Sequence, residues 1–468
     1  MCAAFFMTIL DGSIVNVALP SIGRSLDFSR DNLQWVITAY AITYGGFLLL
    51  AGRLADLFGR RRVFVIGLVV FSIASLFCGL AWSEGVLIAF RAVQGFGAAV
   101  ITPSALSIVM TTFEEGAERN KALGIWGALG GGGAAVGVLA GGVLTKYLGW
   151  EWIFFVNVPV GALALLLTPR YVRESKAERE TSQDVAGAVT VTAGLALLVY
   201  AVSKAPQYGW TSGRTLGVLA GAVGLLVAFL VVEARARDPL MPFRIFRIHT
   251  VAGANVAGLL LGAITFANFF LLTLYVQNVL HYSALKTGLT FAATAGTAVL
   301  WAGLAQSLTT RLGVKPVLAA GFIAMTAGNV YYTQIPTHGA FWSALLPGYL
   351  IVGFALPFTF IPVSIAALAG VHHDEAGLAS GLINTAQQIG GAVGVAICSS
   401  VSLSHFNHLI QIHGKSYFPQ AFTSGTSWAF WVIVGVSVAA LAAGLALISN
   451  KELERQSSPG DAGFAEAS

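Results

Sequence analysis

The chain has 468 residues, of which 56% are hydrophobic and only 10% charged, with a formal net charge of +5. A soluble protein carries about a quarter charged residues, so this composition excludes one and describes a chain that lives in lipid. The basic excess is spread between apolar runs, where it sets membrane topology, so no nucleic-acid partner is expected.

A helix needs about 20 apolar residues to cross a bilayer. Runs of that order predict fourteen spans: 2–22, 33–52, 63–82, 86–110, 122–145, 152–169, 185–203, 215–233, 250–278, 287–309, 316–335, 341–368, 378–402 and 427–449. The first begins almost at Met1 without a basic segment ahead of it, so no removed signal peptide is expected, and a start slightly upstream would complete that helix. Eighteen Lys or Arg fall on the side shared by the termini and seven on the other. The positive-inside rule then puts both termini in the cytoplasm, with the chain multi-pass in a plasma or inner membrane.

In the first span Asp11 lies at mid-depth, and in the fourth Arg91 does. These are the only formal charges deep in any span. A charge in hydrocarbon costs about 3 kcal/mol or more, so such residues face a protein interior or a water-filled path. They are the leading candidates for a functional site, and a purely structural ion pair is the alternative. Between spans two and three the chain reads Gly52-Arg-Leu-Ala-Asp56-Leu-Phe-Gly59-Arg60-Arg61-Arg62. The glycines permit a tight reversal, and Asp56 is expected near the start of span three, where a carboxylate suits the helix dipole and has arginines beside it. Such a cluster can lock one helix arrangement and release it in another.

On span four Arg91, Gln94, Gly95 and Ala98 share one helical face. In span five Gly133, Gly137 and Gly141, with Gly142 beside them, form a small-residue stripe that allows close backbone approach, read as a tight seam between the two halves. Two longer charged loops, 170–184 and 234–250, bracket spans seven and eight. They divide the chain into a six-helix unit at 1–170, an inserted pair with its loops at 171–249, a second six-helix unit at 250–450 and a disordered polar tail at 451–468. Candidates to line a central cavity are Asn16, Tyr40, Tyr44, Gln94, Trp126, Asn268, Tyr275, Gln277, Asn384 and Gln388. A cavity of aromatics and amides suits flat amphipathic molecules, often cationic ones. Spans nine to fourteen hold no carboxylate, so charge balance gives dications no support and leaves monocations, zwitterions and neutral compounds open. His372, His373 and Asp374 read as a solvated turn. Cys2, Cys78 and Cys398 read as small buried hydrophobes without metal-ligand spacing.

Several of these segments resemble a known family. The Gly52–Arg62 loop resembles the signature between helices two and three of the major facilitator superfamily. Leu87, Arg91, Gln94, Gly95, Gly97, Ala98 and Ala99 resemble its proton-coupling motif. Gly133–Gly142 resembles its antiporter motif, with Val138 where the pattern has proline. A narrower likeness, to the fourteen-helix drug:proton antiporters of the EmrB/QacA type, rests on Leu10-Asp11-Gly-Ser-Ile-Val-Asn16-Val-Ala-Leu-Pro20, Trp150–Pro159, Tyr275-Val-Gln277 with Tyr282-Ser283, and Gly377–Thr385. That family commonly has arginine where this chain has Glu151 and Gln387.

The resemblance implies an all-α polytopic major facilitator fold, two six-helix bundles plus two inserted helices. It implies export of hydrophobic or amphipathic drugs in exchange for protons, with Asp11 and Arg91 in proton coupling. Gly52, Asp56, Gly59, Arg60 and Arg61 are then gating residues, and the span-five glycines packing residues. No phosphate-binding loop of the G-x-x-x-x-G-K-[ST] type appears, so an ion gradient is the expected energy source, with no cofactor and no metal. An uptake symporter or facilitator for a small metabolite is the same-fold alternative. No nucleophile, metal or His/carboxylate set converges in the spans, so an enzyme is not expected. The expected partners are a hydrophobic small molecule, protons and the lipid bilayer. A monomer is the expected state.

Overall fold

The computed structural model describes residues 1–29, 32–112, 133, 136–175, 184–236, 239, 241, 243–371 and 376–449. Every regular element among them is a helix. In chain order they are α1 (Cys2–Ser25), α2 (Trp35–Phe58), α3 (Arg60–Gly79), α4 (Glu84–Thr112), α5 (Val136–Tyr147), α6 (Trp152–Phe155), α7 (Asn157–Tyr171), α8 (Val185–Tyr208) and α9 (Gly213–Arg235). Then come α10 (His249–Asn278), α11 (Ala284–Leu312), α12 (Val314–Tyr332), α13 (Phe341–Ala344), α14 (Leu346–Leu368), α15 (Ala376–His413) and α16 (Phe418–Leu447). In hydrocarbon each backbone polar group must find a partner within the protein, which is why apolar runs of this length close as helices.

Twelve helical segments among the described residues are long and apolar enough to cross a membrane. Two of the fourteen expected spans are not in that set. The fifth lies partly outside the described residues, leaving the shorter apolar helix α5. The eleventh is the 19-residue helix α12, whose apolar run is diluted by Lys315, Asn329 and a pair of tyrosines.

Several helices run past the expected boundaries, because hydropathy falls off before the backbone hydrogen bonds do. The clearest case corrects the reading of the Gly52–Arg62 segment. Helix α2 continues to Phe58 and α3 begins at Arg60, so the reversal is the single residue Gly59, at φ 104°. Asp56 therefore sits in the last turn of α2 and not at the start of the next span. A side chain is disfavoured at that φ, which accounts for glycine there.

Helices α1–α4 and α7 pack among themselves, and α10–α12 and α14–α16 form a second packed set. The sets meet where α2 crosses α15 and where α1 touches α10 and α11. Helix α8 lies over the first of these seams. Its Leu195 and Val199 bury against Ala41 and Ile42 of α2 and against Ala392 and Ala396 of α15. Ser400 Oγ donates to Val202 O at 2.7 Å, and Lys204 Nζ donates to Asn32 Oδ1 at 2.9 Å. Helix α9 packs on α8 and leaves Leu216, Val223 and Val227 exposed, as a lipid-facing helix would.

Candidate functional site

The two deep charges meet. Asp11 is fully buried and Arg91 is 1% exposed, and Arg91 Nη1 donates to Asp11 Oδ2 at 2.6 Å. The other carboxylate oxygen, Oδ1, accepts from Gln94 Nε2 at 2.8 Å and from Asn157 Nδ2 at 2.9 Å. Ser75 Oγ accepts from both amides, at 3.0 and 3.1 Å, and itself donates to Phe154 O at 2.8 Å. Arg91 is held on its remaining sides: Nε donates to Val36 O at 2.8 Å, Nη1 to Gln94 Oε1 at 2.6 Å, and the guanidinium carbon stands 4.2 Å from the Tyr40 ring centroid. Helices α4 and α7 thus bond the carboxylate of α1 directly, and α2, α3 and α6 join the network through Arg91 and Ser75. A buried ion pair is tolerable only when its polar atoms find partners, and here both carboxylate oxygens and Arg91 Nε and Nη1 are hydrogen-bonded.

Beside this network lies a cavity of about 870 Å³. Thr8, Gly12, Ser13 and Asn16 of α1 line it, with Tyr40, Tyr44 and Gly52 of α2 and Thr102, Ser107 and Met110 of α4. From the other packed set come Phe266 and Phe269 of α10, Phe360 and Leu368 of α14, and Leu378, Asn384, Gln387 and Gln388 of α15. Arg53, Met110, Leu368 and Leu378 all stand at helix ends on the side of the chain termini, so the cavity reaches toward that side. Arg91 touches the wall and Asp11 does not; the arginine is in contact with both cavity and carboxylate.

The opposite side is closed. Gln277 Nε2 on α10 donates to Val17 O on α1 at 2.7 Å, joining the two packed sets. A Cβ on Gly142 would stand 2.9 Å from Leu285 Cα, and one on Gly288 would stand 2.7 Å from Val138 O, so α5 and α11 touch backbone to backbone. The expected glycine seam needs correction here. A Cβ on Gly133 would meet Ile9 Cγ2 at 2.9 Å, on Gly137 Leu10 O at 2.9 Å, and on Gly141 Ile14 O at 2.7 Å. Residues four apart share a face, and that face packs on α1 within the same set. Gly142, one position round the helix, faces the other set.

On the termini side the arginine-rich turn is held by a residue the sequence reading passed over. Glu174, beyond the end of α7, accepts from the backbone N–H of Arg61 at 3.0 Å and of Arg62 at 3.1 Å, and lies 3.8 Å from Arg61 Nε. Arg60 N donates to Ser175 O at 3.0 Å. A carboxylate at the start of α3 satisfies orphan N–H groups and the positive end of the helix dipole. The side chain of Asp56 lies outside the described residues. Arg53 on α2 donates to Pro239 O.

Of the cavity candidates, Asn16, Tyr40, Tyr44, Asn384 and Gln388 line the cavity. Gln94 instead belongs to the Asp11 network. Asn268 is turned inward, donating to Asn329 Oδ1 at 2.9 Å, and Tyr275 donates to Pro336 O. Gln277 is spent on the closing contact with α1. These three are corrections: polar groups on a helix face need partners, and neighbouring helices, or for Tyr275 the segment after α12, supplied them. Trp126, His372, His373, Asp374 and the tail 451–468 lie outside the described residues. Ser75 was absent from the sequence reading, and Asn157 entered it only as part of the Trp150–Pro159 resemblance, without a role. Both are uncharged, and it is the structure that ties Asn157 to Asp11 and Ser75 to the two amides that hold it.

The sequence profile of the Major Facilitator Superfamily matches residues 1–395. Among curated relatives, the puromycin resistance protein pur8 of Streptomyces alboniger is 40% identical over 443 residues, covering 94% of this chain and 87% of that one. The cephamycin export protein CmcT of Amycolatopsis lactamdurans is 38% identical over 464 residues, 98% of this chain and 93% of its own. Among solved structures, a bacterial homolog of the human lysosomal transporter Spinster, in an inward-facing and unoccupied conformation, aligns with a TM-score of 0.69. It covers 97% of this chain and 96% of its own at 16% identity, a likeness of fold alone.

Proposed function

The chain belongs to the Major Facilitator Superfamily, and we propose that it exports hydrophobic or amphipathic small molecules, antibiotics among them, in exchange for protons. In this reading it is a fourteen-span drug:proton antiporter of the EmrB/QacA type. Two six-helix bundles, 1–170 and 250–450, flank the inserted pair at 171–249, and both termini face the cytoplasm from a plasma or inner membrane. Relatives named for puromycin resistance and cephamycin export support the direction and the class of cargo.

The observation that carries the coupling is a fully buried carboxylate whose arginine partner also touches the cavity. Protonating Asp11 removes its charge and leaves the Arg91 guanidinium without its counter-ion, which alters the cavity wall that cargo meets. The inward-open arrangement then corresponds to the deprotonated carrier, ready to load cargo from the cytoplasm. After rocking to the outward-open state, cargo leaves and a proton is taken up for the return. Asp11 lies on α1, which also carries the Val17 contact that must break during this exchange.

Cells producing the protein are expected to accumulate less puromycin than matched controls, with the difference abolished by a protonophore. Equal accumulation, or a difference that survives collapse of the gradient, would contradict proton-driven export.

A further inference from the structure

The charge of the cargo can be read from the cavity wall. Among the described lining residues, the formally charged side chains are Arg53 toward the mouth and Arg91 at depth, and none is acidic. The sequence extends that statement to positions outside the described residues. Residues 122–145 contain no Asp or Glu, and between 249 and 450 the only acidic residues are Asp374 and Glu375, which precede α15 in the sequence. No helix of the second packed set can therefore present a carboxylate at depth.

Asp11 does not fill that role in this state. It is fully buried, absent from the cavity wall, and bonded to Arg91, Gln94 and Asn157. Aromatic rings are the other means of holding a cation. The guanidinium of Arg91 already lies against the Tyr40 ring, 4.2 Å from its centroid. Phe5, Tyr44, Phe266, Phe269 and Phe360 remain, each worth about 0.5–2 kcal/mol to a cation. These rings attract a cation without supplying a counter-charge, and the formal charges on the wall are both positive. An anion or a neutral molecule meets the reverse situation, with a guanidinium at the wall and neutral amides at Asn384 and Gln388.

Resting on the export reading above, we propose that this cavity, in its inward-open state, selects neutral or anionic amphipaths and discriminates against lipophilic cations. The sign is set by Arg91 at the wall, with the one deep carboxylate withdrawn behind it.

Tetraphenylborate and tetraphenylphosphonium provide the test, since they share a shape and differ in the sign of one charge. Binding of each to the full-length protein in phosphatidylcholine nanodiscs would be measured at equilibrium, with empty discs subtracted. The wild type is expected to bind the borate more tightly by about tenfold or more, and Gln388→Glu, which puts a carboxylate on the wall, to reverse the order. Asn384→Asp serves the same purpose if the first variant fails to fold. Phosphonium bound by the wild type as tightly as borate overturns the proposal, as does a folded carboxylate variant that gains no phosphonium binding. No proton gradient enters the measurement, so its failure leaves proton-driven export standing, and loss of export would not alter the binding order.

Discussion

Gln277 offers the sharpest test of how the closed side is held. Its Nε2 donates to Val17 O at 2.7 Å, and its side chain is buried at the α1–α10 contact. Val17 lies well inside α1, so its carbonyl keeps its helical donor when Gln277 is shortened, and no orphaned acceptor is left behind. Gln277→Ala removes a hydrogen bond with a net value of about 1 kcal/mol, present only while this side is closed. Lost side-chain packing acts in the same direction. The hydrogen bond alone shifts the ratio of open to closed on this side by about fivefold, which is therefore a lower bound. Spin labels at Ser25→Cys on α1 and Lys286→Cys on α11, both at exposed positions, with Cys2→Ser in the background, report that distance. The ratio of long-distance to short-distance populations is expected to rise at least fivefold relative to the labelled parent. An unchanged distribution, or one shifted toward shorter distances, would refute the role given to this contact.

Three other perturbations follow from the same geometry. Arg91→Ala leaves Asp11 buried without its counter-charge and should cost about 3–5 kcal/mol of stability, seen as a large fall in melting temperature, whereas Asp11→Asn with Arg91→Gln should recover most of it. Gly141→Ala places a Cβ 2.7 Å from Ile14 O and should lower the melting temperature by an amount equivalent to about 1–3 kcal/mol. Gly142→Ala, whose Cβ would stand 2.9 Å from Leu285 Cα, should instead raise the long-distance population of the same spin-label pair, because that contact exists only when the side is closed.

What the sequence disclosed divides along physical lines. Asp11 and Arg91 stood out because a formal charge in an apolar run is costly and has few explanations. Gln94 followed from helical spacing to Arg91, and the glycine stripe from its four-residue period. The partner of that stripe could not be read, since periodicity defines a face without saying what covers it. The same limit hid the orientation of Asp11: a helix position gives depth, while rotation about the axis is settled by packing, and packing turned the carboxylate away from the cavity. Ser75 carries no charge and nothing local sets it apart, while Asn157 fell within the Trp150–Pro159 resemblance without any sign of what its amide would bond. Glu174 lies in a charged loop where one carboxylate looks like the next until α3 is seen to begin beside it. Asn268 and Gln277 illustrate the commonest fate of a polar residue in a span, which is to bond a neighbouring helix.

The central claim is that Asp11 couples proton movement to export. Inverted membrane vesicles with an acidified lumen, carrying equal amounts of inserted wild type or Asp11→Asn, test it directly. Adding hydrophobic antibiotics should release lumenal protons from wild-type vesicles and leave the mutant vesicles unresponsive. Equal proton release by the mutant, or verified transport by the wild type with no proton movement, would contradict the claim.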